Sequence, residues 1–318
     1  MALEVPLVAV NVATVSMEAF LYGVYFVLFI TSMYLLAARY GLNQPKIGPD
    51  TSRLKSPIFL GPLCLFMAIT AHWILTVDRS FLAFVYFRNG SLPIAFYGDL
   101  SQITEVVKTG FLSFALVIGD ILIIHRLWVI YGHNFPIIIF PTCTMIALAV
   151  CGGGITYQLS QYTPGENIFI TAAGRWITSD TVFTLCTNVY CTTLIIWRIW
   201  RNSRLISPHG GQNLNSLLAI LVESAALYTT WTLFFFISYQ TKSNLQFIAL
   251  DCWPAVSGIS CMLIHVRIGL GWSQRTNQTT AASQSTPFTV NISRAVHTSP
   301  EYPMEDFRGR VDKVSENV

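Results

Sequence analysis

Seven runs of apolar residues, each close to the roughly 20 that a helix needs to cross a bilayer core, dominate this chain. They fall at about 17–38, 57–77, 103–127, 136–156, 176–197, 216–238 and 247–267. A backbone in lipid must satisfy its polar groups within its own segment. The expected fold is therefore all-α: a polytopic membrane protein built as a seven-transmembrane-helix bundle. Composition agrees, because 53% hydrophobic and only 11% charged residues over 318 positions are too apolar for a soluble domain of that size. The organisation expected is an extracellular N-terminus over 1–16, a transmembrane domain over 17–272, and a disordered cytoplasmic tail over 273–318, which is rich in Ser, Thr, Pro and charge.

The lysines and arginines set an orientation. With the N-terminus outside, the cytoplasmic side receives Arg39, Lys46, Arg53, Lys55, Arg126, Arg198, Arg201, Arg204, Arg267 and the tail, or fourteen of the 19 positive residues. The segment before Met17 has no Lys or Arg, so the first span is expected to insert uncleaved. Asn89-Gly90-Ser91 is a glycosylation sequon in the first external loop, which fits that orientation. All seven cysteines lie within the spans and read as small packing residues.

Local signals place several boundaries. Asp99 with Gln102 three residues on is a capping-box pattern, which starts the third helix near Leu100. "SFLAFVYFRNG" is apolar but separated from the second span by Asp78-Arg79, and is expected along the outer interface. "YTPGEN" marks a turn in the second external loop and "SPHGGQN" a break between spans five and six. The fifth helix is expected to continue through "IIWRIWRNSR". The fourth contains "CGGGI", suited to lipid on one side and close packing on the other.

A carboxylate deep in a span is costly, so it should face the bundle interior, paired or protonated. Glu18, His72, Asp180 and Asp251 lie toward the outside and form the candidate ligand site. Asp120, Glu223 and Asn188, with Arg126 at the cytoplasmic end, form a candidate inner latch. At 100° per residue Asp120 shares a helical face with Ser113, Thr109 and Glu105, while His125 and Arg126 point about 120–140° away. Asp120 therefore needs a partner on another helix, and Glu223 lies at similar depth. In the seventh span, Asp251, Ala255, Gly258, Met262 and His265 form one stripe beside Pro254.

"GDILIIHRLWVIYG", "LIIWRIWRNSR", "LVESAALYT" and "HVRIGLGW" before a Ser/Thr-rich tail resemble a large group of uncharacterised seven-helix membrane proteins of mushroom-forming (basidiomycete) fungi. The resemblance covers about residues 17–272 and implies the topology. The rhodopsin-like receptor pattern is matched only in outline: "HRLW" replaces the acidic-Arg-Tyr triplet, and "WPAVSGI" replaces Asn-Pro-x-x-Tyr.

The chemistry present excludes several classes. The seventh span has no lysine for a retinal Schiff base, and the histidines are scattered with no His-x-x-x-His spacing for a zinc hydrolase. Neither catalytic residues, metal ligands, a cofactor nor a nucleic-acid partner is expected. The expected function is a receptor-like bundle, at the plasma membrane, with an outer polar cavity for a small ligand and a cytoplasmic signalling partner. A proton-coupled small-molecule transporter is the alternative, since such carriers use buried Asp, Glu and His.

Overall fold

The computed structural model describes residues 6–39, 57–163, 172–206 and 212–284. Seven long helices cross the molecule: α1 Leu7–Arg39, α2 Pro57–Phe81, α3 Ile103–Ile130, α4 Phe135–Ser160, α5 Ala172–Ile206, α6 Gln212–Gln240 and α7 Leu245–Gln284. All seven contain windows long and apolar enough to span a membrane, and the described residues include no strand. The chain is thus a multi-pass membrane protein with a seven-helix bundle. The face carrying Leu7 is termed outer, following the positive-charge distribution.

Burial ranks the helices. In the most apolar windows, 78% of α7 and 61% of α3 is buried, against 22% of α1 and of α4. α3 and α7 therefore form the axis, and lipid-facing side chains such as Phe20, Met67 and Tyr157 cover the periphery. One apolar cluster joins α1, α2, α3 and α7 through Tyr25, Leu65, Ile69, Leu122 and Met262. Two others lie around α3 and α7 on the α4–α6 side, one above the other. Close approach depends on small residues here: a Cβ at Gly258 would stand 2.6 Å from both Tyr25 and Ile69. In α4, Gly152 packs on Ser113 and Gly154 on Trp176, while Gly153 meets nothing within 4 Å, so this helix is close-packed on one side only.

Several boundaries differ from those expected. α1 starts at Leu7, not near Met17, because Val10 and Thr14 are buried and Leu7 packs against the cluster of Ala83, Phe96 and Tyr97. Part of the segment expected as the extracellular N-terminus, 1–16, is therefore helix. α3 starts at Ile103, since Asp99 accepts hydrogen bonds from the Ser101 amide and hydroxyl (3.1 and 2.6 Å) and closes a turn ahead of the helix. Asp78-Arg79 does not interrupt α2, which runs on through a π-turn at Leu82–Tyr86 and a 3-10 turn at Phe87–Gly90. A short helix, Pro93–Gly98, then leads back to α3. α5 continues through the Trp- and Arg-rich segment as expected. The compact helical unit extends to Thr276 and α7 to Gln284, beyond the expected end at 272. Of the tail over 273–318 expected to be disordered, residues 273–284 continue α7, while 285–318, with most of the "YTPGEN" and "SPHGGQN" segments, lie outside the described residues.

Candidate ligand cavity and buried polar network

Burial dictates that each charge on α2, α3 and α7 has a partner nearby, and the outer half meets that demand with a continuous chain. Arg79 on α2 reaches Glu105 on α3 (Nε to Oε2, 2.9 Å), Lys108 reaches the same oxygen (3.2 Å), and Lys108 also reaches Asp251 on α7 (Nζ to Oδ1, 2.9 Å). Arg79 further donates to the Thr104 hydroxyl (2.7 Å) and lies over the Phe96 ring. Two cations therefore balance two carboxylates among four side chains that are all buried. Beside them His72 Nδ1 stands 2.8 Å from Glu18 Oε1, joining α2 to α1.

On the other side of Glu105 a cavity of about 450 Å³ opens toward the outer face, within the usual size of a small-molecule site. Its walls come from α3 to α7: Leu112 and Ser113, Ile155 and Leu159, Ile177 and Asp180, Phe235 and Tyr239, Leu250 and Trp253. Tyr97, from the short outer helix, lies against both the cavity and a gap of about 10 Å³ beside Lys108 and Asp251. Burial raises the Tyr97 phenol above its ordinary range, so it stays neutral there. Leu112, Phe235 and Trp253 close the floor, packed with Leu116, Leu148 and Tyr228.

Below this floor the polar groups are of another kind. Thr184 on α5 and Tyr228 on α6 share a 2.8 Å hydrogen bond, and the Thr184 hydroxyl also reaches Asp120. Thr184, Asn188 and Cys191 lie on one face of α5 at separations of four and three residues, all buried. Asp120 Oδ2 and Asn188 Oδ1 have no hydrogen-bond partner among the described residues, and neither has Oδ1 of Asp180, which lines the cavity above. At the inner end Arg126 donates to the Cys261 carbonyl (3.1 Å) and to the His265 ring, tying α3 to α7.

Of the four residues expected to share an outer site, only Asp180 lines the cavity. Glu18 and His72 pair with each other, and Asp251 pairs with Lys108. The expected Asp120–Glu223 pair is not formed. Glu223 is exposed, because Leu221 and Ser224 take the buried face of α6 and the intervening position turns outward. Asp120 instead meets α5, the helix that carries Asn188. Arg126 stands apart from Asp120 as expected, yet reaches α7 as well as the inner end. Asn89 is exposed in the outer turn with φ 55°, beside Gly90 at φ 72°. Lys108 and Arg79 were missed as site residues, although a lysine within an apolar run is itself a signal. Among the described residues no three His, Cys, Asp or Glu side chains converge on a metal-sized site.

No family model, curated protein or solved structure matches the chain.

Proposed function

We propose that the protein is a receptor-like seven-helix protein that takes a small ligand into the outer cavity and transmits its presence through α3 and α7 to a cytoplasmic partner. The observation that carries this reading is the closed floor: Leu112, Phe235 and Trp253 end the cavity above Asp120. α3 and α7 suit the transmitting role, being the most buried helices and tied at both ends, by Lys108–Asp251 outside and Arg126–Cys261 inside. The reading includes the plasma membrane as location, the N-terminus outside, and membership of the fungal group that the motifs resemble.

A proton-coupled carrier is the second reading, favoured by Asp120 and Asn188 below the floor, each of which retains an unpartnered oxygen. Cysteine accessibility separates the two. Thr109→Cys and Asn188→Cys are each compared with the unaltered chain for reaction with a membrane-impermeant thiol reagent applied from either side. A receptor gives reaction at 109 from the outer side only and none at 188. Reaction at 188 from both sides would establish the carrier.

A further inference from the structure

We propose that the outer cavity selects a ligand carrying a protonated amine on a compact apolar body, with Asp180 as its counter-charge. This rests on the cavity being a ligand site and deepens that reading by naming the ligand class.

The lining supplies the apolar half of the argument. Leu112, Ile155, Leu159, Ile177, Phe235 and Leu250 offer a hydrophobic enclosure large enough for an aryl or short alkyl body. The charges supply the rest. Two carboxylates line the cavity, Glu105 and Asp180. Glu105 is already held by Arg79 and Lys108, so it offers no net attraction to a further cation. Asp180 has no ion pair among the described residues, is only 5% exposed, and keeps Oδ1 without a hydrogen-bond partner. A buried carboxylate with one oxygen unpartnered is unfavourable alone and gains most from an incoming donor that is itself charged.

Depth gives the ligand a direction. Asp180 and Trp253 each stand eight residues into their helices, about 12 Å below the first turns of α5 and α7. Lys242 and Asn244 lie at the mouth, in the turn before α7, and have interactions of their own. An amine therefore enters head first toward Asp180, and an anionic head is disfavoured at that depth.

Three probes with one body and different heads test this: 4-phenylbutylamine, 4-phenylbutan-1-ol and 4-phenylbutyric acid. Each is titrated at neutral pH by saturation-transfer NMR against the full chain in phosphatidylcholine nanodiscs, with empty nanodiscs as blank. The amine is expected to bind about tenfold or more tightly than the alcohol, from one charge-assisted contact, with the acid weakest. Asp180→Asn is expected to remove the gap between amine and alcohol. The head-group order in the unaltered chain decides the matter even if the variant fails to fold. Equal binding of amine and alcohol, or preference for the acid, overturns the amine proposal while leaving the cavity as a ligand site. Binding of none of the three overturns both.

Discussion

The outer and inner halves of the α3–α7 axis bury charge in opposite ways. Outside, Arg79, Glu105, Lys108 and Asp251 form a chain in which each charge has an opposite neighbour within 3.2 Å. Inside, Asp120 has the Thr184 hydroxyl as its polar partner, and one of its oxygens has no hydrogen-bond partner among the described residues. The same kind of side chain thus serves two purposes. Paired charges fix the relative positions of α2, α3 and α7. Unpartnered carboxylates contribute little to holding helices together and stay available to a proton, a cation or a ligand.

The sharpest way to break this comparison is Lys108→Met. Asp251 then loses its cation and Glu105 keeps only Arg79, leaving a buried charge uncompensated at a cost of about 3–5 kcal/mol. Thermal unfolding in detergent should show the largest loss of any substitution considered. The double variant Lys108→Met with Asp251→Leu should recover much of it, since an apolar pair of similar volume replaces an ion pair at little cost. A single variant as stable as the parent would mean that the chain does not hold the helices.

Glu18→Gln sits between the extremes. The amide keeps a hydrogen bond to His72 but loses the charge opposite the imidazole, for a loss of about 1–2 kcal/mol in the same assay. Loss as large as for Lys108→Met would make the α1–α2 pair part of the outer chain rather than a separate tie.

The seven spans were legible because bilayer thickness imposes a length that apolar runs must meet. Helix ends were less so. The start of α1 at Leu7 depends on packing against Phe96 and Tyr97, which are more than 80 residues away in sequence, and no local signal encodes that. The candidate site was legible as a set of residue types at the right depth, but not as partners. Depth placed Asp251, Asp180 and Glu18 together, whereas rotation of each helix sends them to Lys108, the cavity and His72. A helical wheel fixes angles within one helix only. It separated Asp120 from Arg126 correctly and gave no basis for choosing α5 over α6 as the neighbour of Asp120.

Asp120→Asn probes the inner half. The amide preserves shape and can still bond to Thr184, and no paired cation is abandoned, so stability should change by about 1 kcal/mol or less. Function should change more than stability. In a receptor, basal activity shifts because the α3–α5 contact biases a conformational equilibrium; in a carrier, proton-coupled flux stops. A destabilisation matching that of Lys108→Met would show that Asp120 is held by a strong ionic partner and would erase the distinction between the two halves.

The smallest effect is expected for Glu223→Gln, and its smallness is informative. Glu223 has the same charge as Asp120 and lies in the same half of the bundle, so depth alone predicts similar behaviour. Its side chain is exposed, near the start of the α6 span at Leu221, where a long side chain can reach the headgroups. Ser224, next in sequence, is buried and bonded to the Leu221 carbonyl (3.1 Å), while its own carbonyl accepts from Ser260 on α7 (2.9 Å). The α6–α7 contact therefore runs through position 224 and not 223. Glu223→Gln should change stability by no more than about 0.5 kcal/mol, as for surface substitutions generally. Combined with Asp120→Asn, it should add nothing to the functional change, because sites without shared partners act independently. Non-additivity in that double variant, measured by basal activity or by flux, would mean that α6 turns Glu223 toward Asp120 in another state of the protein, and the inner half would then hold a carboxylate pair that the outer half lacks.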